Sequence, residues 1–128
     1  MREQLDAIVG TWRTEGEVDD GTPIRGTDAY EWLGGEFVVH HVDVRMGETA
    51  VRALEVIGPL SASPVPSRAY GGDGSVEDST VALTDDGHLT FGTDGARSVL
   101  RVDGDTATGV WHRTGADEPW MTLRLTRS

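Results

Sequence analysis

Four histidines, a late arginine and four tryptophans are the side chains in this sequence with the most chemistry to offer. Cysteine is absent, so there is no thiol nucleophile, no disulfide frame and no cysteine-ligated zinc or iron–sulfur site. His40 and His41 are neighbours, and neighbours in an extended strand point to opposite faces, so the two cannot share one metal. His40 is in phase with Val38, Val42, Val44 and Met46, which marks it as the interior one of the pair. His41 runs with Asp43 and Arg45 and reads as outward. His112 shares its phase with Thr108, Val110 and Thr114. On an inward face it would serve as a ligand's hydrogen-bond donor, a general base or an axial ligand; otherwise it is satisfied by a cross-strand threonine or a carbonyl. His88 follows Asp86-Gly87 and reads as a solvated turn residue. A zinc site would need His40, His112 and a carboxylate to converge, and no spacing encodes that. The acidic group Asp73, Glu77 and Asp78 lacks the order of a calcium loop. The glycines join strands and open no helix, so they cradle no phosphate. No serine precedes a helix on a nucleophile elbow.

Arg124 is the candidate anion binder. It shares a face with Trp120, Thr122 and Thr126, while Met121, Leu123 and Leu125 share the other, and the alternation does not choose between them. With the even face inward, Arg124 is a buried cation that must meet a carboxylate of the protein or of a ligand. It could equally make a closing cation–π contact with Trp12 and have no ligand role. With the odd face inward, Met121, Leu123 and Leu125 are plain core. Tyr30, Trp32 and Asp28 share another face. Trp12, Trp32, Trp111 and Trp120, in a chain with two Phe and two Tyr, point to aromatic walls that suit flat apolar ligands. Trp111, opposite in phase to His112, has an alternative place on the outer wall within a dimer contact.

The elements that must position these groups are short and extended. Turn signals fall at Asp20-Gly21, Gly34-Gly35, Gly47, Gly71 to Gly74, Asp85 to Gly87, Asp94-Gly95, Asp103-Gly104 and Gly115 to Pro119. The stretch 58–67 carries Pro59, Pro64 and Pro66 and is expected to lie outside strand interiors. Ten segments remain, near 9–18, 25–33, 36–46, 49–58, 67–72, 75–84, 87–92, 96–103, 106–114 and 119–127, each with the period-2 pattern of a half-buried strand. Only residues 2–8 read as helical, too short to stand alone, so the stretch should dock as a plug. Ten hairpin-linked strands leave two edges unless the sheet closes. The expected fold is therefore all-β, a ten-stranded antiparallel up-and-down barrel with a short N-terminal helical turn, in one domain over 1–128. A ring of ten strands encloses more space than eight, and few large side chains are available to fill it, so a cavity is expected.

The 11 arginines against 22 acidic residues give a net charge of -11, which argues against nucleic acid and anionic membranes as partners. No window has the length of a membrane span, and the first fifteen residues hold no apolar stretch of signal-peptide length, so a cytoplasmic protein is expected. Lysine and asparagine are both absent, a bias that fits a GC-rich bacterial genome.

Gly10-Thr11-Trp12-Arg13, entering the first strand after a helical turn, resembles the start of calycin-type barrels: lipocalins, fatty-acid-binding proteins and nitrobindin-like haem barrels. Trp32 to Val38 and Gly109 to Arg113 are similar to stretches of an uncharacterised bacterial calycin-like family. The resemblance implies that Trp12 closes one end of the barrel, with Arg124 or Arg127 packed nearby. It also implies a last-strand arginine holding a ligand carboxylate, as in fatty-acid-binding proteins. Nitrobindin-like barrels hold haem through a histidine shortly after a proline near the last strand. Here Trp120 follows Pro119, and an indole has no lone pair for iron, so haem is disfavoured and no cofactor is expected.

These readings converge on binding of a small apolar or amphipathic molecule within the barrel, lined by Tyr30, Trp32, His40, His112, Trp120 and Arg124, with Trp12 as structural closure and no catalytic residue assigned. The alternatives are a haem-dependent or histidine-based enzyme, and a non-catalytic homodimer whose barrel is filled by side chains.

Overall fold

The glycine-bearing breaks fall at or between strand ends, and the chain between them runs as one meander. The computed structural model describes residues 1–128. A helix, α1 (Arg2–Ile8), leads into β1 (Gly10–Val18), β2 (Pro23–Leu33), β3 (Phe37–Met46), β4 (Thr49–Ile57) and β5 (Val65–Gly71). The second half follows as β6 (Val76–Leu83), β7 (Leu89–Gly92), β8 (Ala96–Asp103), β9 (Thr106–Arg113) and β10 (Met121–Arg127). Each strand pairs antiparallel with its sequence neighbour, and β10 pairs with β1, which closes the ring and leaves no edge. The ten-stranded closed antiparallel barrel is the architecture expected. Gly47 and Gly104 hold φ at 63° and 62°, the left-handed values that tight hairpin turns require. The first residues of β2, β5, β7 and β10 depart from expectation by two positions. β5 begins at Val65 and includes Pro66, whose carbonyl accepts from the Gly58 amide at 2.8 Å. A proline near a strand's start, on its outward face, costs the ladder little.

Burial follows the pleat. Even-numbered residues point inward on β1, β2, β3 and β8, and odd-numbered residues point inward on β4, β5, β6, β9 and β10. One end of the ring is sealed. Leu5 and Ile8, the apolar edge of α1, are fully buried with Trp12, Val38, Ile57 and Leu89. The Trp12 indole donates to the Ile8 carbonyl at 2.8 Å, and Arg127 lies over its ring at 4.1 Å. The Arg127 guanidinium also donates to the carbonyls of Val9, Ala7 and Gly104, at 2.8, 2.9 and 3.2 Å. It thus ties the helix exit, the β8–β9 turn and Trp12 together, with cationic N–H groups satisfying carbonyls at the rim.

The outer wall is polar along much of its length. Thr11, Arg13, Glu15 and Glu17 of β1 and His41, Asp43 and Arg45 of β3 all face out, unlike the apolar outer band of a transmembrane barrel. No helix is long and apolar enough to cross a membrane.

Candidate functional site

Just inside the sealed apolar layer, five consecutive strands each contribute one polar side chain to a continuous chain of hydrogen bonds. Thr14 of β1 donates to Asp28 Oδ2 of β2. Asp28 Oδ1 lies 2.7 Å from His40 Nε2 of β3, and His40 Nδ1 lies 2.9 Å from Glu55 Oε1 of β4. Ser67 of β5 donates to Glu55 Oε2 at 2.5 Å. Register explains the order. His40 is directly opposite Glu55, while Thr14 with Asp28, Asp28 with His40 and Glu55 with Ser67 are each one pleat off, the diagonal distance long side chains can span. The imidazole is only 12 % exposed, Asp28 7 % and Glu55 18 %. Burial alone would push His40 toward neutrality. The hydrogen bonds and charges of Asp28 and Glu55 outweigh it and raise its pKa from 6.5 to about 9, so both ring nitrogens carry protons and both donate. Burial works against the Glu55 charge too, but His40 and Ser67 prevail and hold it below the ordinary carboxylate range.

Tyr30, opposite His40 in register, stacks on the imidazole with ring centroids 3.9 Å apart and planes within 10°. Burial, with the nearby charges of Asp28 and Glu55, raises the phenol pKa well above 10. It stays protonated and keeps an O–H to donate.

Above this polar floor the barrel is hollow. A cavity of about 180 Å³ is walled by Ile24, Val42, Val44, Met46, Val51, Leu100, Trp111, Met121, Leu123 and Leu125, with Asp28, Tyr30 and His40 at its base. A second space of about 140 Å³ shares Tyr30, His40, Leu100 and Trp111 with it and adds Glu55, Glu77, Ser79 and Phe91. Val42, Met46, Trp111, Met121 and Leu123 point inward yet are only half-buried, which follows from a cup open at the end away from α1. Trp111 fits inside the ring because Gly109, two residues earlier on the same face, has no side chain. A Cβ there would sit 2.6 Å from the indole.

Of the residues proposed from the sequence, Tyr30 and His40 lie at the cup's base and Trp12 seals the closed end. The other four lie elsewhere, and each position corrects the expectation. Trp32 is on the inward phase but beyond the seal, where its indole donates to Asp6 at 2.7 Å and Arg2 lies over its ring at 4.9 Å. It anchors α1. His112 points out, opposite Arg97, because Gly109 and Trp111 take the inward phase of β9. Trp120 precedes β10 and packs beside Arg113, 5.0 Å from its guanidinium, bordering neither space. Arg124 faces solvent and meets both Glu17 carboxylate oxygens at 3.1 Å, because Leu123 and Leu125 claim the interior of β10. Arg127, rather than Arg124, closes on Trp12. The alternative place for Trp111 on an outer wall is likewise replaced by a place in the cup.

Sequence reasoning missed Asp28, Glu55, Ser67 and Thr14 as a connected set. The available signal was a polar residue in the inward phase of each strand, which single-strand alternation cannot join without the register.

No family model matches the chain, and no curated protein matches it. Solved structures do. A de novo designed fluorescence-activating beta barrel aligns over 100% of both chains with a TM-score of 0.60 at 15% identity. Rv2717c from M. tuberculosis aligns over 98% of this chain and 96% of its own, with a TM-score of 0.62 at 14% identity. A redesigned barrel, mFAP1, bound to DFHBI, aligns over 99% and 100%, with a TM-score of 0.57 at 11% identity. At these identities the likeness is one of fold alone.

Proposed function

We propose that this chain is a binding barrel of calycin type that takes a small apolar or amphipathic molecule in the open cup. The observation that carries the reading is the apolar cavity of about 180 Å³ above a hydrogen-bonded polar floor. Apolar walls supply affinity, at roughly 25 cal/mol per Å² buried, and a few fixed polar groups set orientation. Similarity in fold to a barrel bound to DFHBI supports looking for the ligand inside the ring.

Binding without turnover suits the chemistry of the floor. Both nitrogens of His40 are committed to carboxylates, which leaves no lone pair to act as a base or to ligate iron. At the position where the nitrobindin-like pattern carries its haem histidine stands Trp120, so haem has no part in this reading.

The test is a titration of tryptophan emission with benzyl alcohol and acetophenone. Trp111 is the one indole in the cup's wall, so quenching should saturate in the native chain and vanish in Trp111→Phe. Val42→Phe, which fills the cup from its wall, should keep the fold by circular dichroism and lose the response. Flat emission with both probes in the native chain, with no binding heat by calorimetry, would overturn the proposal.

A further inference from the structure

We infer that the cup selects flat single-ring ligands bearing a cationic or N–H-donating end group and turns carboxylates away, because Asp28 at its base, with Glu55 across His40 in the adjoining space, has already taken the protons of the donors bonded to it. The inference rests on the binding reading above and adds the chemical class of the ligand.

Size sets the first limit. A cavity of about 150 Å³ with apolar walls holds one benzene, so about 180 Å³ admits a ring with a short substituent. The walls set the second. Trp111 in the wall and the stacked Tyr30–His40 pair at the base border the same space, and aromatic faces favour flat rings.

The floor decides the end group. Thr14, Ser67 and both His40 nitrogens give their protons to Asp28 and Glu55, one to each of the four carboxylate oxygens. An ionised carboxyl accepts at about four lone-pair positions, so both retain capacity to accept while His40, Thr14 and Ser67 have no proton left to give. Charge agrees with this count: two carboxylates against one imidazolium leave an excess negative charge at the base of the cup. In the second space Glu77 and Arg97 both line the wall and offset each other in charge, so the excess rests on Asp28 and Glu55. Arg97, the one arginine bordering either space, directs its guanidinium to Thr90 Oγ1 at 3.5 Å, off the outward phase of β8. Arg124 is outside, paired with Glu17. Tyr30 keeps one O–H for a ligand acceptor, a single neutral donor against two carboxylates. The chain's net charge of -11 adds a field that draws cations toward the mouth and repels anions.

Three probes of one shape separate the possibilities: benzylamine, benzyl alcohol and benzoate, each titrated at pH 7 by Trp111 emission and by calorimetry. The expected order is benzylamine tightest, the alcohol weaker, and benzoate weaker than benzylamine by about tenfold or more. Asp28→Asn should bring the amine down toward the alcohol. Should that chain fail to fold, Glu55→Gln should do the same to a smaller extent. Benzoate binding as tightly as benzylamine, or an amine preference unchanged in the folded variant, overturns the inference while leaving the cup as a binding site. Silence from all three probes overturns the binding reading itself.

Discussion

The buried Asp28–His40–Glu55 group makes a quantitative claim about stability against pH. Its imidazole binds a proton with a pKa of about 9 in the folded chain, against 6.5 as its reference value. The folded state therefore holds its proton more tightly than the unfolded state does. The resulting stability is complete below pH 6.5 and drains as pH rises toward 9. At about 1.4 kcal/mol per pH unit, that gap is worth about 3 kcal/mol. A domain of this size has a total stability of roughly 5–15 kcal/mol, so the loss is a large share. With a urea slope of about 1.5 kcal/mol per M, the denaturation midpoint should fall by about 2 M across the window.

The carboxylate side works in the opposite direction. Glu55 has a pKa held below 4.5, so its contribution is present above that value and disappears as pH falls. The stability profile should crest between 4.5 and 6.5 on account of these two groups. Tyr30, with a pKa well above 10, adds a separate loss at higher pH, so the titration should stop near pH 9. The assay is urea denaturation by far-ultraviolet circular dichroism at half-unit steps. His40→Gln should flatten the alkaline limb, and Glu55→Gln should shorten it by removing one of the two carboxylates that hold the proton. A native midpoint constant from pH 6.5 to 9, or the same alkaline slope in a folded variant, would refute the assignment of a protonated His40 between two carboxylates.

Other consequences of the geometry can be checked directly. Arg127→Met removes a guanidinium bonded to three carbonyls and stacked on Trp12, and should cost roughly 3 kcal/mol, or on the order of 10 °C in Tm by calorimetry. Arg124→Met breaks only an exposed pair with Glu17 and should leave Tm unchanged. Gly16→Ala places a Cβ 2.1 Å from the Thr122 carbonyl across the β1–β10 seam, and should lower stability by about 1–3 kcal/mol in the same scan. Gly109→Ala should force the Trp111 indole from its seat, seen as a shift in its emission maximum and weaker quenching by benzyl alcohol.

How much of this was legible in the sequence depended on whether one strand's own pattern sufficed. Along β3 the even residues Val38, Val42, Val44 and Met46 are apolar, so the inward place of His40 followed from its neighbours alone. The ten strands and the short helix were legible for the same reason, since Asp-Gly and Gly-Gly pairs marked the turns. On β9 the inward residues are Ala107, Gly109 and Trp111, and a glycine at the centre of the inward face hides its apolar character. The outward Val110 then made His112 look interior. β10 alternates cleanly, but alternation fixes only that two faces differ; the pairing of Leu125 with Thr14 decides which is inside. That choice moves Arg124 out and leaves Arg127 to close on Trp12.

The polar floor was hidden for a deeper reason. Glu55 and Ser67 would each be costly to bury alone, and a reader of either strand assigns them to solvent. They are tolerated inside because the register of β3, β4 and β5 brings each to a partner, with His40 donating one N–H to each of the two carboxylates. A polar network is therefore visible only at the level of paired strands. By the same logic its parts are not interchangeable. Removing His40 leaves Asp28 and Glu55 facing each other without a counter-charge, whereas removing Ser67 costs Glu55 one neutral donor. His40→Leu should thus destabilise by several kcal/mol and Ser67→Ala by about 1 kcal/mol, both measured by urea unfolding at about pH 6, inside the crest set by the two groups. Equal losses would mean that the imidazole contributes as packing rather than as the charge that makes this floor possible.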